Sequence, residues 1–152
     1  LKENCIVLDV DGVILDTFFI FEEIFELKLK GDDMWDYFHS NCNSEKVKII
    51  KECKGLLALL YILKMKGIPL DIILLTSRNE KVREATEKKL KTCMYYDKLI
   101  MRPKDDYRES HILKKEELQK LEEKYNILMY IDDDLKNCEA GKELGIFTLR
   151  KV

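Results

Sequence analysis

Along the chain, short aliphatic runs alternate with longer stretches whose apolar residues recur at helical spacing. Cys5-Ile6-Val7-Leu8 is an unbroken apolar run ending in Asp9, the pattern of a buried strand. Over residues 17–30, Phe18, Phe21, Ile24, Phe25 and Leu29 fall on one side, which predicts an amphipathic helix with a Phe-rich core stripe. A less regular segment, 31–43, carries Trp35 and Phe38, which are expected to pack over the core. A long helix is predicted over about 44–66, stopped by Gly67 with Pro69 beyond it.

The second apolar run, 72–75, leads into Thr76-Ser77-Arg78. Ser77 and Glu80 have capping-box spacing and predict a helix reaching about residue 92. A strand at 98–102, a polar loop and a helix at 110–125 come next. A buried strand at 127–131 then runs into three aspartates, of which Asp134 is placed to cap a helix at 135–144 before a last strand at 146–149. Strands separated by helices predict a parallel sheet covered on both faces, hence one α/β domain over 1–152.

Apolar residues make up 46% of the 152, enough for a packed core despite 37% charge. The net charge of −2 gives no global basic field, although a local basic groove is compatible with it. No apolar run nears the roughly 20 residues of a membrane-spanning helix. The opening Leu1-Lys2-Glu3-Asn4 has neither an initiator Met nor a signal-peptide pattern, as expected of a trimmed N-terminus. Five scattered cysteines without a C-x-x-C pair, and only two histidines, argue against a zinc or disulfide framework. They predict buried, reduced thiols and a cytoplasmic protein.

Metal chemistry must then rest on carboxylates. In open parallel sheets, sites form beyond the C-terminal ends of the strands. Asp9 and Asp11, Thr76 and Arg78, Arg102, and Asp132 and Asp133 all stand at such ends. Carboxylates brought together from two strand ends require a neutralising cation or a retained proton. An all-oxygen set suits a hard ion such as Mg²⁺.

These residues resemble the four motifs of the haloacid dehalogenase (HAD) superfamily of phosphatases. Ile6-Val7-Leu8-Asp9-Val10-Asp11-Gly12-Val13 is similar to the first, Ile73-Leu74-Leu75-Thr76 to the second, Lys114 to the third and Ile131-Asp132-Asp133 to the fourth. A finer likeness is to the 3′-phosphatase domain of phage-type polynucleotide kinase/phosphatase. It rests on Thr76-Ser77-Arg78, Val82 to Thr86, Leu99 to Arg102 and Asp105 to Arg108. Val13 stands where many members have Thr, Ser77 where Gly is frequent, and Asn137 where some carry a second acid. No P-loop occurs, so the kinase half of the bifunctional enzymes is not in this sequence.

The resemblance implies a three-layer Rossmann-like HAD fold with minimal or no cap, about 17–43 forming a small helical insert. It implies Asp9 as nucleophile, Asp11 as general acid and base, and Mg²⁺ held by Asp9, Asp11 (through its carbonyl), Asp132 and Asp133. Thr76, Ser77 and Lys114 would bind phosphate. Arg78, Arg102 and Arg108, three of only five arginines, are candidate substrate contacts. The expected substrate is a 3′-phosphorylated polynucleotide end or a nucleotide, with a separate kinase or ligase as a candidate partner. Exposed aromatics such as Trp35 or Tyr107 could stack on bases. The alternatives are a small-metabolite phosphatase and a catalytically silent phosphate-binding module.

Overall fold

A computed structural model describes all residues, Leu1–Val152. The main sheet contains β1 (Glu3–Leu8), β4 (Leu70–Asn79), β5 (Lys98–Arg102), β6 (Tyr125–Asp132) and β7 (Thr148–Arg150). Its order is β5-β4-β1-β6-β7, and every pairing is parallel. The helices are α1 (Phe18–Glu26), α2 (Gly31–Asn41), α3 (Lys54–Met65), α4 (Arg83–Lys91), α5 (Ser110–Lys124) and α6 (Leu135–Glu143).

Two-residue alternation divides the apolar strand residues between the two faces. Ile6, Leu8, Ile72 and Leu74 join Leu57, Leu60 and Leu90 in one core, while Cys5, Val7, Ile73 and Leu75 join Leu118 and Leu121 in the other. The parallel α/β architecture expected from the sequence is therefore the one observed. No helix is long and apolar enough to cross a membrane. All five cysteines are free, and four are buried.

Several local expectations need correction. The segment 31–43 is not irregular, because α2 fills most of it. The long helix expected over 44–66 begins only at Lys54, preceded by β3 (Lys48–Ile49) and a 3-10 turn at Lys51–Cys53. β3 pairs antiparallel with β2 (Leu15–Asp16), so the two ends of the excursion carrying α1 and α2 meet in a two-stranded clasp. Strands of two residues are too short for any periodicity to reveal.

The predicted stripe is core only in part, through Ile24 and the partly buried Leu29, while its phenylalanines stay at the surface. Ile20 and Ile24 are the buried residues of α1, whereas Phe18 is 69% and Phe25 84% exposed. Phe38 packs over the core as expected, but Trp35 stays half exposed. The Ser77–Glu80 capping box does not form either. Ser77 belongs to β4, Asn79 caps the following turn by accepting from Lys81 N, and Glu80 pairs with Arg83 at 2.7 Å. Asp134 does cap α6, its side chain accepting from Asn137 N at 3.0 Å.

Candidate active site

β1 ends at Leu8, and Asp9 N donates to Ile131 O at 2.9 Å, tying the first acidic loop to β6. This places Asp9 beside Asp132 and Asp133. One carboxylate oxygen from each of the three lies within 4.8 Å of the others. Gly12 makes the approach possible with φ +77°, since a β-carbon there would stand 2.1 Å from Asp133 Oδ2.

Lys114 reaches this cluster from α5. Its Nζ lies 2.8 Å from Asp9 Oδ1 and 2.7 Å from Asp132 Oδ2, and the side chain is almost wholly buried. Burial pulls its pKa down, but the two carboxylates prevail and hold it above the ordinary lysine range. Burial pushes Asp9 well above the usual carboxylate range against the pull of Lys114, and Asp132 and Asp11 add to the rise. Burial and the Asp132 charge likewise raise Asp133. Asp132 moves the other way. Burial opposes its ionisation, yet Lys114 and donated hydrogen bonds keep its carboxyl below the ordinary value.

Those bonds define what Asp132 does. Its Oδ2 accepts from Lys114, from the Tyr130 hydroxyl and from Asn137 Nδ2, and its Oδ1 accepts from Asp134 N at 3.0 Å. Asp132 is thus a fully coordinated counter-charge that aims Lys114. Burial and the neighbouring Asp132 raise the Tyr130 hydroxyl well above its usual range, so it remains a donor. Tyr130 and the coordinating part of Asn137 were missed in the sequence. Tyr130 lies inside an apolar strand run, where a tyrosine reads as core. Gly141 on α6 lets that ring pack, since a β-carbon there would meet it at 2.8 Å.

Thr76 and Ser77 sit on an irregularity in β4. Leu75 pairs with Ile100, but the next pairing joins Asn79 to Arg102, so β4 holds extra residues there. Such bulges re-aim side chains. Thr76 is buried, with Oγ1 accepting from Arg78 N at 3.1 Å. Ser77 Oγ lies 2.5 Å from Ser110 Oγ at the start of α5.

The arginines do not converge as expected. Arg78 is buried, and its fork donates to both Asp11 oxygens, Nε to Oδ2 at 2.9 Å and Nη2 to Oδ1 at 2.7 Å. Arg102 donates to the carbonyls of Ser77, Asp106 and Arg108, which ties down the loop before α5. Arg108 pairs with Asp106 and Glu116 at the surface. A guanidinium with all its donors inside the protein cannot grip a substrate phosphate, so Arg78 is corrected from a contact to an internal partner of Asp11. Asp11, paired with Arg78, is not one of the three clustered aspartates.

His39 of α2 adds a link that sequence reasoning did not find. Its Nε2 accepts from Asn79 N at 3.3 Å, and its ring lies 6.5 Å from that of Trp35. The insert therefore touches the same end of β4 that bears Thr76 and Arg78.

A family model described as HAD superfamily, subfamily IIIB (acid phosphatase), matches residues 2–149. Among solved structures, a chain of the Pnkp1/Rnl/Hen1 RNA repair complex is 25% identical with TM-score 0.73, over 98% of this chain and 42% of that one. This chain thus spans less than half the length of that relative. The class C acid phosphatase from Bacillus anthracis with tungstate bound is 19% identical, with TM-score 0.63 over 100% of this chain and 69% of that one. The HAD domain of the effector Lem4 from Legionella pneumophila is 16% identical, with TM-score 0.54 over 98% and 86%. These last two show a shared fold. A search of curated proteins returns no match.

Proposed function

The chain belongs to the HAD superfamily, subfamily IIIB (acid phosphatase), and from that premise we propose that it removes phosphate from 3′-phosphorylated polynucleotide ends or from nucleotides. The observation that carries the phosphatase reading is Lys114 Nζ held between Asp9 and Asp132, with Asp133 alongside. A silent binding module would have no need of a buried cation fixed against a carboxylate nucleophile.

The donor set fits a hard divalent cation such as Mg²⁺, being all oxygen, acidic and grouped within 4.8 Å. Asp9 and Asp133 would hold it, with the main-chain carbonyl of Asp11 and with Asp132 behind them, and when bound it would offset charge on the transferring phosphoryl group. Since Asp132 is already saturated with donors, Asp9 and Asp133 are the direct carboxylate ligands in this account.

In the first step an Asp9 oxygen attacks phosphorus and the bond from phosphorus to the ester oxygen breaks. Asp11 gives its proton to the departing alkoxide, leaving an aspartyl-phosphate and a free alcohol. In the second step Asp11 takes a proton from water, the water oxygen attacks phosphorus, and the acyl-phosphate bond breaks. Inorganic phosphate leaves and both aspartates return to their starting states. Lys114 and Thr76 bind non-bridging oxygens throughout. Ser77 hydroxyl and Arg108 are further candidate contacts, and Arg102 acts by holding the loop between them.

The polynucleotide reading rests on the small size of the insert and on the likeness to a chain of an RNA repair complex. We take 1–152 as one catalytic domain and about 17–43 as its insert, which leaves the crevice open to a polymer end. Trp35 at 49% and Tyr107 at 81% exposure provide faces on which bases can stack. A separate kinase or ligase is the proposed partner, and the five free thiols suit a reducing, cytoplasmic setting. The match to acid phosphatases favours a second reading, hydrolysis of small phosphomonoesters. A phosphate-release screen over 3′-phosphorylated oligonucleotides, mononucleotides and sugar phosphates tests both. Higher kcat/KM on 3′-phosphorylated ends, weakening as salt rises, supports the first, and preference for sugar phosphates overturns it in favour of the second.

A further inference from the structure

We infer that Arg78 is the positioning residue of Asp11, and that through it the exit of the helical insert and the proton-transfer carboxylate form one rigid unit. The inference rests on the phosphatase reading and adds a residue that acts without touching substrate.

A guanidinium offers five N–H donors in a fixed plane. In Arg78 each has an acceptor: Nε and Nη2 on the two Asp11 oxygens, Nη2 also on Cys42 O at 3.0 Å, and Nη1 on Asn43 Oδ1 at 2.6 Å and Thr86 Oγ1 at 3.3 Å. None is left for a phosphate. The Arg78 side chain is 0% exposed, whereas Asp11 keeps 21% of its own surface open. Paired in this way, Asp11 is gripped from the protein side and has one open side.

The other acceptors come from different parts of the chain. Cys42 and Asn43 close α2, and Thr86 lies on α4 and also accepts from Asn43 Nδ2 at 3.2 Å. One buried side chain thus joins the acidic loop after β1, the bulged end of β4, the exit of the insert and α4. A two-point grip fixes the plane of the Asp11 carboxylate as well as its position, which is what directed proton transfer requires. Lysine, with one point of charge, supplies position without the plane.

Burst kinetics on 2,4-dinitrophenyl phosphate separate the two possible roles. Its leaving group departs without a proton, so formation of the aspartyl-phosphate does not need Asp11, whereas its hydrolysis does. For Arg78→Lys we expect a burst rate and substrate affinity within about twofold of wild type, and steady-state turnover at least about tenfold lower. Phosphoenzyme should accumulate, and the Arg78→Lys/Asp11→Asn double variant should turn over no more slowly than Asp11→Asn. Asn43→Ala withdraws one acceptor at a half-buried position, so it tests the same grip if Arg78→Lys does not fold. It should show the same pattern in weaker form. A slowed burst, a raised KM, or losses that add in the double variant would make Arg78 a substrate contact and overturn the inference. A wild-type protein without activity on any phosphomonoester would overturn the phosphatase reading, and the inference with it.

Discussion

Gly12 and Asp133 stand so close that a β-carbon at position 12 would lie 2.1 Å from Asp133 Oδ2, so a side chain there requires that carboxylate to move. The glycine of the first acidic loop is thus defined by the aspartate that follows β6, some 120 residues later. Its φ of +77° independently disfavours any side chain. Gly12→Ala is expected to displace the Asp133 carboxylate and to abolish the Mg²⁺-induced rise in melting temperature. The metal-free protein should melt only slightly lower, by about 1–2 kcal/mol of stability. A Gly12→Ala protein that keeps its Mg²⁺ response in a thermal melt would dissociate Asp133 from metal binding.

Lys114 is expected to matter in two ways. Lys114→Ala should lower turnover by at least about two orders of magnitude, the cost of removing one preorganised charge contact. It should also destabilise the metal-free fold by about 3–5 kcal/mol, because two buried carboxylates lose their shared cation. Lys115, one residue away, pairs with Glu143 at the surface and serves as the control. An equal loss in Lys115→Ala would show that the wrong lysine carries the chemistry.

How far these features were legible depends on their range. The strands β1, β4, β5 and β6 were legible because each contains a continuous apolar run, whereas β7, Thr148-Leu149-Arg150, has none, and the acids at the strand ends followed from strand polarity. Lys114 and Asp132 were legible as types in order, though not as a 2.7 Å pair. What stayed hidden was set by close packing between distant segments. The bulge in β4 breaks alternation without any mark in composition and turns Arg78 inward. The stripe of phenylalanines on α1 has the spacing of a buried face, yet Ile20 and Ile24 occupy that face and the rings point outward. The apolar arc of α1 is wide, opposite Glu22, Glu23 and Glu26, and periodicity alone does not say which edge of such an arc meets the core.

Removal of divalent metal by a chelator should suppress phosphate release, and Mg²⁺ should restore it. Because the ion would bind the folded acidic cluster and not the unfolded chain, Mg²⁺ at about 100 times its Kd should add about 2.7 kcal/mol of stability. Activity and melting temperature indifferent to both treatments would remove the metal from this account.

His39 provides a pH dependence outside the acidic cluster. Burial lowers its pKa below the ordinary 6.5, Arg78 and Lys81 push the same way, and Asp11 and Asp36 oppose them. Its neutral ring accepts the Asn79 N–H in the folded protein. The unfolded chain therefore binds a proton more readily, so this stability is complete above pH 6.5 and is lost as pH falls through 6.5 toward the lower folded value. Melting temperature should drop over that interval, and the drop should shrink in His39→Gln. An unchanged pH slope in the variant would assign the loss to other groups.

If Asp9 carries the phosphoryl group, that group can be trapped on it. Asp11→Asn protein mixed with Mg²⁺ and 2,4-dinitrophenyl phosphate, then quenched in acid, should carry one phosphoryl adduct on the peptide containing Asp9. The Asp9→Asn protein should carry none and release no phosphate above background. An Asp9→Asn protein that still turns over at the wild-type, Mg²⁺-dependent rate would contradict the account.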